Sequence, residues 1–215
     1  HLIFKRKTKL KLTNYLQVFV IWIPISSGIH EAIPNSPACD LNLHYSYFKN
    51  NLEVFFNILE VSRLHKINHL MFASTSSVYG ENFEYPSKEN FNTDKPLSFY
   101  AATKKSNEIM AYTYSNIFKL PCTGLRFFTV YGPYGRPDMA YFKFTKKILK
   151  EQKIDIYNKG KMYRDYTYID DIVDGIYKVL KKIPSKNSKK KFKDDSLSPV
   201  APFRILNIGN TKKIY

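Results

Sequence analysis

A chain of 215 residues, 44% hydrophobic and 16% aromatic, can bury a core and most simply folds as one α/β domain. Its formal net charge of +16 invites a nucleic-acid role, but the 28 lysines and 6 arginines are scattered, with runs only near Lys5–Lys11 and Lys186–Lys193, and no zinc spacing, ribonucleoprotein-type aromatic pair or helix-turn-helix pattern accompanies them. Two cysteines, Cys39 and Cys122, exclude a disulfide framework and a cysteine metal cluster, and point to a reduced, cytoplasmic setting.

The apolar run Val18–Ile25 suits a buried strand. It has a second reading, because Lys5 to Lys11 precede it and Ser26-Ser27-Gly28 follow, in the manner of a signal peptide. The run is far short of the ~20 residues of a membrane helix. Residues 45–65 carry helical periodicity, with apolar positions at 52, 55, 56 and 59. His69–Ala73 reads as a buried parallel strand running into four hydroxyl residues, Ser74, Thr75, Ser76 and Ser77. A loop from Glu81 to Leu97 holds Pro86 and Pro96. A long helix starts near Ser98 and ends before Pro121, because the residue preceding a proline disfavours the helical region. A strand at Cys122–Phe127 and a helix at Asp138–Glu151 follow. Ile172, Val173, Ile176, Tyr177 and Leu180 form a helical stripe over residues 170–182. The Lys- and Ser-rich residues 184–203 are expected as a disordered surface loop, and Arg204–Ile208 as a last strand.

Two of these elements carry chemistry. Tyr100 and Lys104 stand four apart at the start of the long helix, on one face and one turn apart. A free tyrosine titrates near pH 10 and is a poor base at neutral pH; a neighbouring cation favours its phenolate. A shift to about 7 requires ~4 kcal/mol, which demands a desolvated site and a second positive charge. A solvated helix face gives the same spacing. The hydroxyl cluster lies where open α/β sheets bind ligands, beyond the carboxyl end of a strand, and Thr75 comes 25 residues before Tyr100.

Four ordered blocks tie these residues together: Phe72–Gly80 (FASTSSVYG), Ser98–Lys104 (SFYAATK), Leu125–Ala140 (LRFFTVYGPYGRPDMA) and Gly160–Asp171 (GKMYRDYTYIDD), with a shorter echo at Asn207–Asn210. In these blocks the chain resembles the extended short-chain dehydrogenases/reductases of the NAD-dependent epimerase/dehydratase family, and within it the UDP-glucuronate 4-epimerases. The resemblance covers Tyr47 to Asn210. It implies an α/β fold: a Rossmann-like parallel sheet flanked by helices, one partial domain over residues 1–215, with N-terminal βα units missing and part of a small C-terminal substrate lobe present.

The resemblance also implies roles. Tyr100 matches the general base, Lys104 the residue that holds the nicotinamide ribose and tunes the tyrosine, and Thr75 the donor to the sugar 4-oxygen. NAD is the implied cofactor and a UDP-sugar the implied substrate, with no metal, no nucleic acid and no membrane partner. Asn51 and Phe128 match cofactor-facing positions; Thr129, Arg136 and Arg164 match positions at the nucleotide diphosphate, where a guanidinium fork pairs with phosphate oxygens. Surface ion pairs, for Arg164 with Asp170 or Asp171, are the alternative for the arginines. Ser76 and Ser77 stand where family dehydratases carry Asp-Glu, so they favour holding a C5 carboxylate over elimination or decarboxylation. A helix pair mediates dimers in related enzymes, which makes a homodimer an expectation of the same kind.

The chain departs from the family in two places. No GxGxxG or GxxGxxG fingerprint occurs, so a full fold needs about 60 further residues ahead of His1, at ~30 per βαβ unit. Trp22–Ser26 replaces a stretch of small residues, and Pro24 lacks a backbone donor; Cys39–His44 reads as an insertion. Two functions stay open: an NAD-dependent nucleotide-sugar 4-epimerase, or a non-catalytic remnant of this family or a related dehydratase or decarboxylase.

Overall fold

Alternation of apolar residues with β-branched and small ones builds a four-stranded parallel sheet, seen in a computed structural model that describes residues 18–21, 41–82, 84–135, 137, 139–156, 164–185 and 195–211. The strands are β1 (Val18–Ile21), β2 (His69–Thr75), β3 (Cys122–Phe127) and β6 (Phe203–Ile208), in the spatial order β1-β2-β3-β6. Register is set by Val18 opposite His69, Leu70 opposite Cys122, and Cys122 opposite Phe203.

Strand periodicity of two divides the central strands between two buried faces. Leu70, Phe72, Cys122, Phe203 and Ile205 meet Phe55 and Leu59 of helix α2 (Val54–Leu64) and Ala111 of helix α3 (Phe99–Phe118) in one core cluster. Gly124 is required there: a Cβ on it would come within 2.8 Å of the Phe72 ring. On the alternate positions lie Met71, Leu125 and His69, all buried. The His69 Nε2 sits 2.8 Å from Thr123 Oγ1, and burial lowers its imidazole to about 4, so it is neutral at pH 7.

Helix α3 is the longest element because its ends are well marked. Ser98 Oγ accepts the Ala101 amide at 3.2 Å as N-cap, and Lys119 closes the other end in the left-handed region just before Pro121. The helical segment ahead of β2 begins at Leu41 as α1 (Leu41–Tyr47), passes through a π-helical turn, Phe48–Glu53, and continues as α2. Leu41–His44, part of the stretch read as an insertion relative to the family, is helical. Helix α4 (Ala140–Leu149) falls inside its expected span, and helix α5 (Ile169–Leu180) starts one residue ahead of its own; the α5 first turn carries Asp170 and Asp171, favourable at a helix N-terminus.

Three findings differ from the sequence expectations or add to them. Within residues 184–203, Asp195, Leu197, Ser198 and Ala201 are buried. Composition alone hides the reason, which is local hydrogen bonding: Ser198 Oγ accepts the Val200 and Ala201 amides at 3.2 Å, and Asp195 pairs with Arg204 at 3.2 Å. This segment is a packed lead-in to β6, and β6 starts at Phe203. Second, a small parallel pair stands beyond the main sheet: β4 (Thr129–Tyr131) with β5 (Tyr166–Tyr168). Third, Trp22–Ser26, Cys39, Arg136, Asp138 and the run Lys186–Lys193 lie outside the described residues.

Candidate functional site

The carboxyl ends of β2 and β3 gather the chemistry-bearing residues. Thr75 ends β2 and is 8% exposed. Its Oγ1 caps the following 3-10 turn, Ser76–Tyr79, by accepting the Ser77 amide at 3.2 Å, and it lies 3.3 Å from Ser77 Oγ. Ser76 and Ser77 are half-buried in that turn. Gly80 ends it at φ +54°, where a Cβ would overlap the Lys95 carbonyl, so only glycine fits.

Tyr100, second residue of α3, is half-buried, with its ring 5.7 Å from the buried Tyr47. Lys104, one turn on, is 3% exposed. Its Nζ donates to the Ala73 carbonyl at 3.3 Å, so α3 is fastened to β2 two residues before Thr75. Burial lowers the Lys104 ammonium to about 8. This rules out the solvated-face reading for Lys104.

Asn51 occupies the π-helical turn and is fully buried. Its Nδ2 donates to Thr103 Oγ1 at 2.8 Å, and Thr103 donates in turn to the Tyr100 carbonyl at 2.8 Å. Asn51 therefore braces the backbone of the Tyr100–Lys104 turn. Its Oδ1 has no hydrogen-bond partner among the described residues.

Phe128 and Thr129 leave the end of β3. The Phe128 amide donates to the Ile208 carbonyl at 3.2 Å and the Thr129 amide to the Asp165 carbonyl at 3.0 Å. A cleft of about 50 Å³ opens here between Phe128, Asp165, Asn207 and Gly209. A larger cleft of about 320 Å³, lined by Arg63, Phe118 and Pro121, lies where α2 and α3 end, at the amino ends of β2 and β3. Open α/β sheets bind ligands at the other end, so the smaller cleft is the relevant one. Arg164 is exposed just before β5, and no ion pair joins it to Asp170 or Asp171 among the described residues. It stands next to Asp165, whose carboxylate holds the loop after β6. Arg136 lies outside the described residues.

Three residues of the site, Asp165, Glu108 and Arg126, carry no role in the sequence reading, and a fourth, Ser74, takes a different one. Asp165 accepts the Asn210 amide at 2.9 Å and the Thr211 amide at 2.8 Å, which fixes the loop after β6. Glu108 on α3 and Arg126 on β3 form a buried pair, both 4% exposed at the side chain. Ser74, grouped with the other hydroxyls by sequence, points away from them and donates to Glu108 at 2.6 Å. The available signal was a helical repeat, since Tyr100, Lys104 and Glu108 are each four apart, and an arginine inside an apolar strand. The thiol of Cys122 is buried and pushed up, as befits a packing residue. Among the described residues no group of His, Cys, Asp or Glu forms a metal cluster, and no helix is long and apolar enough to cross a membrane.

Comparison with known proteins places this arrangement. The NAD dependent epimerase/dehydratase family matches residues 25–193. Protein CapI of Staphylococcus aureus is 48% identical, over 96% of this chain and 63% of its own length. A probable UDP-glucuronate 4-epimerase of Rhizobium meliloti is 42% identical, over 91% of this chain and 55% of its own. Among solved structures, UDP-glucuronic acid 4-epimerase from Bacillus cereus in complex with NAD superposes with a TM-score of 0.71 at 31% identity, over 95% of this chain and 57% of that one. The chain thus spans less than two thirds of the length of each of these relatives.

Proposed function

The chain belongs to the NAD-dependent epimerase/dehydratase family, and from that premise we propose that it acts as a nucleotide-sugar 4-epimerase interconverting UDP-glucuronate and UDP-galacturonate. The observation that carries the reading is the fastening of buried Lys104, one turn from Tyr100, onto the strand that ends in Thr75. Lys104 and Asn51 would hold the nicotinamide-ribose end of NAD, which would supply the hydride acceptor and donor for the sugar C4. Tyr100 takes the proton from the 4-hydroxyl as the hydride leaves, and gives it back afterwards. Lys104 favours the phenolate by its charge. Thr75 donates to the 4-oxygen and orients it.

The residues fit the nicotinamide-ribose end of the cofactor. Lys104 has three N–H donors and one protein acceptor among the described residues, which leaves two for ribose hydroxyls. Asn51 and Phe128 complete this end in our reading. Ser76 and Ser77 hold the C5 carboxylate by hydrogen bonds and offer no acid or base for elimination, which supports epimerisation over dehydration or decarboxylation. Thr129, Arg136 and Arg164 bind the diphosphate. A cytoplasmic location and a homodimer through α2 and α3, which leave Phe56, Val61, Ile109 and Ile117 exposed, belong to the same reading. The replacement of small residues by Trp22–Ser26, with Pro24 lacking a backbone donor, favours a second one, a chain that keeps the fold without holding the cofactor.

The test is turnover of UDP-glucuronate by the whole protein, followed by chromatography of the two epimers. Tyr100→Phe is expected to lower kcat by about 10²–10⁴-fold with the unfolding midpoint preserved. Equal turnover by the variant would remove Tyr100 as the base.

A further inference from the structure

A second constellation lies directly beneath the first and is absent from the roles assigned so far. Arg126 Nε and Nη2 donate to the two Glu108 oxygens at 2.9 and 2.8 Å, a bidentate pair sealed between α3 and β3. Ser74 donates to Glu108 Oε1 at 2.6 Å. Arg126 Nη1 donates to the Glu89 carbonyl at 3.2 Å, and the guanidinium lies 4.8 Å above the Tyr79 ring. Tyr79 donates to Asn207 Oδ1 at 2.7 Å, and the Asn207 amide donates to Glu89 Oε1 at 2.8 Å.

Burying two charges costs so much solvation that an apolar pair of equal volume stabilises a core as well or better. The pair is therefore poorly explained as glue. Its connections have a clear direction. Glu108 is one turn beyond Lys104, on the helix that carries Tyr100. Ser74 is the residue before Thr75. Glu89 and Asn207 border the loop and strand end beside Phe128.

We infer that Glu108, clamped by Arg126, is a positioning residue that acts through Ser74 to set Thr75 against Tyr100. This rests on the reading of Tyr100 and Thr75 given above. The Ser74–Glu108 bond and the Lys104–Ala73 bond hold the two residues ahead of Thr75 to one face of α3, so Thr75 cannot slide along the strand without breaking one of them. Such placement matters because a misplacement of 1 Å can cost about 10²-fold in rate.

Truncating Glu108 would strand a buried guanidinium and unfold the protein, so the informative variant is Ser74→Ala, which leaves the ion pair whole. In the whole protein, kcat should fall about tenfold while KM for UDP-glucuronate stays within twofold. A crystal structure of the variant should show the Thr75 Oγ1 to Tyr100 Oη separation changed by about 0.5 Å or more. An unchanged separation overturns the inference, whatever the kinetics. Tyr100→Phe, assayed in parallel, separates the two failures: an active Tyr100→Phe refutes the chemistry, while the Ser74→Ala structure reports on placement alone.

Discussion

The charge on Lys104 is the most finely balanced quantity in the site. Burial brings its ammonium down to about 8, close to the pH at which the proposed tyrosine base would work, so in that reading the cation that favours the phenolate is itself lost just above neutrality. Activity of the whole protein should rise as the phenolate forms and then decline above about pH 8. Lys104→Met should lack that descending limb and run about 10²–10⁴-fold slower throughout; a pH–rate profile of both proteins checks this, read as macroscopic values of a coupled pair. The stability effect has the opposite sense. Because the folded state gives up this proton near 8 and the unfolded chain near 10.5, the penalty of the buried cation is full below pH 8 and fades as pH rises to about 10.5. Tyr100, Lys104 and Thr75 were legible in the sequence because each sits at a fixed offset within a single element. Glu108 and Ser74 were not, since their meaning lies in a hydrogen bond between residues 34 apart on different elements. Asn51 was found but its bond partner, Thr103, was hidden for the same reason.

At the scale of the elements, β2 joins two requirements. Its carboxyl end serves the site, while its amino end buries His69 against Thr123 of β3. The folded imidazole titrates near 4 and a free one near 6.5, so between these values the unfolded chain binds the extra proton. Stability is retained above pH 6.5 and falls as pH drops toward 4, by on the order of 3 kcal/mol from this group. Urea unfolding at pH 7 and pH 4.5 should show this loss in the wild type and a smaller one in His69→Gln. Strands and helices were mostly legible as apolar runs, caps and prolines: β3 lies where it is expected, and β2, α3 and α5 need changes of one to a few residues at their ends. The pair of β4 and β5 was not, because three-residue strands leave no periodicity to read. Residues 195–202 misled because their Ser, Asp and Pro content is that of a loop, while side-chain bonds to the backbone fold them into the core.

For these 215 residues taken together, the proposed site is one half of what a dinucleotide cofactor needs. In that reading Lys104 serves the nicotinamide-ribose end, and the 215 residues hold no glycine fingerprint for the pyrophosphate. A polypeptide of these residues alone should bind NAD weakly, with calorimetry giving a dissociation constant at or above the millimolar range; stoichiometric NAD carried through purification would contradict this. Finally, the π-helical turn at Phe48–Glu53 acts as a screw adjustment between two rods. Rewinding the same six residues as ordinary α-helix would turn α1 by about 100° relative to α2. Phe55 and Leu59 would stay seated, but Tyr47 would swing off the ring of Tyr100, leaving the phenol without its wall. The wide winding of that turn is thus as much a constraint on this protein as the identity of Tyr47 itself.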